Sequence, residues 1–167
     1  MARVTLKGTP NNTNGPLPSV GSRAPDFTLI ATDLCEKTLA DYADKKKVLT
    51  INPSYDTGVC KATARKFNAA LGARDDVIVL AVSPDLPFAQ KRFCEEEKLS
   101  PLVVPLSSFR GNFATDYGVQ LVDGPLRGLT ARAVIVLDEN NEVLVSQLVP
   151  EVTTEPDYAE VFSALER

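Results

Sequence analysis

The sequence predicts an α/β fold, with a mixed central sheet flanked by helices. Three observations carry this. The run "KKKVLTIN", the periodic "GVCKATARKFNAAL" and the β-branched "DDVIVLAV" read as strand, helix and strand. Such a βαβ unit makes a parallel strand pair. Later, "ARAVIVLD" and "EVLVSQLV" are separated only by "ENN", which reads as an antiparallel hairpin. The chain then closes on a helical run, "PDYAEVFSALER". At 167 residues it is long enough for a real core and fits one domain spanning 1–167.

The elements follow in order. "ARVTLKG" and "DFTLIAT" are extended segments ahead of the main unit, an N-terminal extended or β-hairpin addition. The first strand of the unit stops at Pro53, which lacks an N–H and cannot sit mid-ladder in a central strand. Thr57 is placed to cap the helix that follows, with Cys60 at its third position. Along that helix Cys60, Ala64, Phe67 and Leu71 form one face toward the sheet, which leaves Cys60 half sheltered. Asp85 and Pro87 read as N-cap and first residue of a second helix, "PFAQKRFCEEEKL", whose apolar members are Leu86, Ala89 and Phe93. "LVVPL" is a shorter strand, and "NFATDYG" a brief helix closed by Gly118. The resulting order, βαβ, helix, then ββα, is that of thioredoxin. It puts Cys60 at the first strand-to-helix junction, in the crevice where open α/β sheets bind and react.

Composition excludes several classes of function. The chain is 44% hydrophobic and 24% charged with a net charge of −4, which argues against a nucleic-acid or acidic-membrane surface. No apolar stretch approaches the ~18 residues of a membrane span. "MARVTLKGTPNNTNG" lacks the apolar region of a secretory signal, so a cytoplasmic protein is expected. There is no histidine, which removes Ser-His-Asp and Cys-His nucleophile systems and imidazole metal sites together. Cysteines at 35, 60 and 94 lack the paired spacing of a zinc site, and no phosphate-cradling glycine motif occurs. No metal and no cofactor are expected. Chemistry must rest on sulfur, carboxylates and guanidinium groups.

The three sulfurs differ. A thiolate at Cys60 would feel unpaired N–H groups and the positive end of the helix dipole, with Lys61 and Arg65 nearby in sequence. The cap geometry alone leaves two readings open, a reactive thiol or a small buried hydrophobe. Cys94 lies beside the polar face of its helix and precedes three glutamates, which disfavour its thiolate. One sulfur suits attack on an oxidant; the other suits waiting as a thiol. Cys35, in "ATDLCEKTLADY", has no cap and no basic neighbour but Lys37, and reads as structural.

Together these residues resemble a known family. "PSYDTGVC" fits the peroxiredoxin pattern Pro-x-x-x-Thr-x-x-Cys at Pro53, Thr57 and Cys60. "VGSRAPDFTLIATDL", "RKFN", "SPDLPFAQKRFC", "GPLRGLTARAVIVLDENNEVL" and "TTEPDY" are similar to the thiol peroxidase branch, from "VTLKG" to the last helix. The resemblance implies an atypical two-cysteine peroxiredoxin with a thioredoxin-like fold. It implies a peroxidatic Cys60, a resolving Cys94 in the same subunit, and Thr57 and Arg132 completing the peroxide site. It also implies thioredoxin as reductant, hydrogen peroxide and organic hydroperoxides as substrates, and a homodimer. Pro53 would shield the sulfur without offering a competing donor. The sequence departs from the pattern at Asn52, where relatives often carry an apolar residue. Two other functions share the fold: a thiol–disulfide oxidoreductase, which would normally carry a CxxC that "GVCKATA" lacks, and a redox sensor signalling through a 60–94 disulfide.

Overall fold

The computed structural model of the protein describes residues 1–167. It begins with a separate two-stranded hairpin, β1 (Arg3–Leu6) paired antiparallel with β2 (Thr9–Asn12). Lys7 and Gly8 between them both have positive φ, 49° and 82°, as a tight two-residue hairpin loop requires.

The main sheet comprises β3 (Leu29–Ala31), β4 (Glu36–Lys37), β5 (Lys46–Ile51), β6 (Val77–Ser83), β7 (Val103–Ser107), β8 (Ala133–Leu137) and β9 (Val143–Leu148). Their spatial order is β4-β3-β7-β6-β5-β8-β9. β5, β6 and β7 run parallel, whereas β3 on β7, β8 on β5 and β9 on β8 pair antiparallel. The sheet is therefore mixed, as expected. Helix α1 (Gly58–Leu71) joins β5 to β6, and α2 (Pro87–Glu97) joins β6 to β7. A single turn, α3 (Phe113–Asp116), precedes β8, and α4 (Tyr158–Leu165) follows β9.

Alternation along the buried strands sorts the core into two layers. On one face Val48, Val79 and Val134 meet Cys60, Ala64, Phe67 and Leu71 of α1 and Val161, Ala164 and Leu165 of α4. On the other, Leu49, Ile51, Leu80 and Ile135 meet Phe27, Leu39, Phe113 and Tyr117. The two turns that shape this layer are backbone-driven. Gly118 has φ +68°, and a Cβ there would lie 2.0 Å from the Pro16 carbonyl oxygen. In "ENN", Asn141 takes φ 68°, and the Asp138 carboxylate accepts from the N–H groups of Asn140 at 2.9 Å and Glu142 at 2.8 Å.

The start of α2 corrects the sequence expectation. Its N-cap is Leu86, not Asp85, and Leu86 is 52% exposed rather than part of the apolar face. The buried face is Pro87, Gln90 and Phe93. Pro87 still opens the helix, but the Asp85 carboxylate is engaged elsewhere. It accepts from Ser54 Oγ at 2.8 Å, the Tyr55 N–H at 2.8 Å and Ser83 Oγ at 2.7 Å. It fastens the loop after β5 to the loop after β6.

Candidate active site

β5 delivers Asn52 and Pro53 to the end of the sheet, and the chain turns there into α1. Thr57 is the N-cap with φ −102° and ψ 149°; its Oγ1 accepts from the Cys60 N–H at 3.3 Å and donates to the Ser54 carbonyl at 3.2 Å. This is the cap the sequence predicts, and it fixes Cys60 in the first turn. The side chain is not half sheltered as expected but fully buried, because the inward face of α1 packs flush against the sheet and Tyr55.

Arg132, on the residue before β8, is 2% exposed. Its Nη1 lies 3.2 Å from Cys60 Sγ and 2.7 Å from Asn52 Oδ1, while Nε donates to the Val152 carbonyl at 2.9 Å. A buried guanidinium against a sulfur stabilises negative charge that develops beside it. The basic neighbour proposed from sequence proximity, Arg65, serves another purpose: it forms a forked ion pair with Glu97 of α2. Helical proximity in sequence pointed to the wrong cation, because Arg65 lies on the outer side of α1.

Pro53, Thr57 and Arg132 line a cavity of about 160 Å³ together with Leu6, Val59, Leu126 and Leu129. Four of the residues singled out from sequence, Pro53, Thr57, Cys60 and Arg132, are thus brought together. Cys94 is half-buried on α2 and packs at the edge of the same apolar layer as Cys60. Burial, with a smaller contribution from the Glu95 carboxylate, pushes its thiol up to about 11. The direction is the one the glutamates suggested; desolvation is the larger cause. Cys35 is exposed in the β3–β4 turn, with β7 and β6 between that edge and β5.

Three residues of this region escaped the sequence reading. Asn52 is fully buried, and its Nδ2 donates to the Thr50 carbonyl at 3.2 Å, Thr50 Oγ1 at 3.3 Å and Tyr55 Oη at 3.0 Å. The Tyr55 ring stacks on Phe93, one residue before Cys94, with centroids 4.7 Å apart. Burial holds the Tyr55 hydroxyl well above its ordinary range, so it stays protonated. Asp85 is the third. Asn52 was visible only as a departure from a pattern, and Asp85 only as a cap.

The fold and the sulfur–guanidinium pair define a thiol-redox protein built on the thioredoxin-like sheet. The Redoxin family model matches residues 19–162, and the chain belongs to that family, in its thiol peroxidase branch. It is 46% identical over 165 residues to the thiol peroxidase of Corynebacterium glutamicum, covering 99% of each chain. It is 46% identical over 166 residues to that of Leptospira interrogans, covering 98% of this chain and 97% of the relative. Among solved structures, a peroxiredoxin-like protein from Aquifex aeolicus superposes with a TM-score of 0.91 at 40% identity, covering 99% of this chain and 96% of that one. No helix is long and apolar enough to cross a membrane.

Proposed function

We infer that the protein is a thiol-dependent peroxidase in which Cys60 attacks the peroxide, Cys94 resolves the product and thioredoxin restores both thiols. The observation that carries this is the Arg132 Nη1 to Cys60 Sγ contact of 3.2 Å, at the first turn of a capped helix beside an apolar cavity. The Cys60 thiolate attacks one peroxide oxygen, the O–O bond breaks, and the leaving oxygen takes a proton to depart as water or an alcohol. Thr57 Oγ1 can orient the peroxide, and Arg132 stabilises the charge moving onto the leaving oxygen. The Cys94 sulfur then attacks the Cys60 sulfenic acid, forming a disulfide and releasing water. A dithiol reductant takes up the oxidation and returns both sulfurs to thiols. Arg132 has Nε and Nη1 engaged by the protein, and the residue lines the cavity.

The apolar lining from Leu6, Val59, Leu126 and Leu129 supports organic hydroperoxides as substrates alongside hydrogen peroxide. Position 63, where a CxxC oxidoreductase would hold its second cysteine, is Thr63, whose Oγ1 donates to the Val59 carbonyl. The reading extends to one domain spanning 1–167, a cytoplasmic location and a homodimer. Exposed Leu86 and Phe88 at the start of α2 offer apolar surface for the last. The test is peroxide consumption coupled to thioredoxin, thioredoxin reductase and NADPH. Rapid multiple turnover that vanishes in Cys60→Ser supports the reading. Oxidation without turnover would make the protein a sensor instead.

A further inference from the structure

We propose that Asn52 is a positioning residue for the reaction, holding the Arg132 guanidinium in the orientation that presents one Nη1 hydrogen to Cys60. The proposal rests on the assignment of Cys60 as the attacking sulfur. The geometry is determined atom by atom. Nη1 of arginine carries two hydrogens, set about 120° apart in the guanidinium plane. One is taken by Asn52 Oδ1 at 2.7 Å, and the other points at Cys60 Sγ at 3.2 Å. With Nε also fixed on the Val152 carbonyl at 2.9 Å, the plane cannot rotate without breaking a buried hydrogen bond.

The Asn52 amide is itself held one way round. Its Nδ2 faces three oxygens: the Thr50 carbonyl, Thr50 Oγ1 and Tyr55 Oη. Turning the amide over would set its NH2 group against the guanidinium and its oxygen against the Thr50 carbonyl. Both contacts would be repulsive. The oxygen is thereby committed to Arg132. An amide also suits the task where a carboxylate would not. At the same distance an aspartate would place a negative charge on the guanidinium and cancel much of its pull on the sulfur. Asn52 offers a strong neutral acceptor and leaves the positive charge to Cys60. A side chain with no acceptor would free the Nη1 hydrogen and leave it buried without a partner.

The test uses protein with Cys35 and Cys94 replaced by serine, so that Cys60 is the one thiol. Asn52→Asp, nearly isosteric, and Asn52→Ser are compared with the parent and with Arg132→Met. The readouts are the pH profile of Cys60 alkylation by iodoacetamide and the rate of the first reaction with hydrogen peroxide. Asn52→Asp is expected to move the profile by roughly one pH unit to the alkaline side and to slow peroxide attack about tenfold at pH 7. In the Arg132→Met background Asn52→Ser, which brings no charge of its own toward Cys60, is expected to add little, because the residue acts through Arg132. Folded Asn52 variants with the parent profile and rate overturn the proposal, even when their melting temperature falls. So does a full extra effect of Asn52→Ser in the Arg132→Met background. Should neither variant fold, the unsubstituted protein still decides. Its Arg132 Nη1 hydrogens should give two separate, slowly exchanging NMR signals, and one averaged signal overturns the proposal. Failure of the underlying assignment looks different: peroxide consumption would survive Cys60→Ser in the otherwise unsubstituted chain.

Discussion

Replacing Cys94 with serine is expected to leave the first attack on peroxide nearly intact and to stop thioredoxin-driven turnover. Cys60 then lingers as sulfenic acid and passes to sulfinic acid under excess peroxide, a mass gain readable on the intact protein. Cys60→Ser abolishes the first step, and Cys35→Ser, on the exposed β3–β4 turn, changes neither. Peptide mapping after one equivalent of peroxide should find a 60–94 bridge within one chain; a 35–60 bridge or an intersubunit link sinks the assignment of Cys94. Titration adds a check with a definite sign. The unfolded chain begins to release the Cys94 proton near 9.0 and the folded chain only near 11, so the reduced protein loses stability as pH rises through that window. In Cys94→Ser that part of the loss should be missing from urea melts taken at pH 8 and pH 10. At this scale the sequence was legible where a motif or the wider resemblance named the residue: Pro53, Thr57 and Arg132 line one cavity, and Cys60 touches Thr57 and Arg132. It was not legible where the contact is long-range and polar. The reach from Asn52 to Arg132 joins positions 80 apart in the chain, and no local pattern encodes it.

Helix α2 is the element expected to yield for its cysteine to reach Cys60. It buries only Pro87, Gln90 and Phe93, whereas α1 buries five residues including Phe67 and Leu71. Instead of a broad apolar face it has fastenings at its ends. Asp85 ties the loop before it to Ser54 and Tyr55, and Glu97 and Ser100 tie its far end to Arg65 and Asn68 of α1. Few buried apolar contacts imply low local stability. Hydrogen exchange should therefore show α2 opening more readily than α1 in the reduced protein, and losing further protection on oxidation. Equal protection in both redox states would argue for a rigid site. Asp85→Ala leaves the Tyr55 N–H without its acceptor, and a loss of about 1–3 kcal/mol is expected in urea unfolding. Bounds of elements were legible where capping and periodicity agreed. α1 starts and ends where "GVCKATARKFNAAL" does. β2, made of "TPNN", and the two-residue β4 carry no strand signal of their own, since pairing with a neighbour makes them strands.

At the scale of the whole molecule, the sheet holds the chemistry in place through its two apolar layers. Phe67 shows what that support is worth. Fully buried, it meets Tyr158 and Phe162 edge to face, with centroids 5.4 Å and 6.1 Å away, and so locks α1 against α4. Phe67→Ala should cost about 3–5 kcal/mol by chemical denaturation, and the looser α1 should slow peroxide attack as well. The mixed sheet was legible because the strand–helix–strand run implies a parallel pair and the "ENN" hairpin an antiparallel one. The N-terminal hairpin's place was not, because it is fixed by backbone pairing with a distant segment: the Thr5 N–H donates to the Pro150 carbonyl and the Val152 N–H to the Thr5 carbonyl, both at 2.8 Å. That hairpin contributes Leu6 to the wall of the cavity beside Arg132, yet it belongs to a sheet separate from the one that carries Cys60. In the proposed mechanism, the part that would meet a substrate's tail and the part that would break its O–O bond are therefore separately adjustable. A selectivity library confined to position 6 should shift the ratio of activity on bulky organic hydroperoxides to that on hydrogen peroxide, while the hydrogen peroxide rate itself stays put.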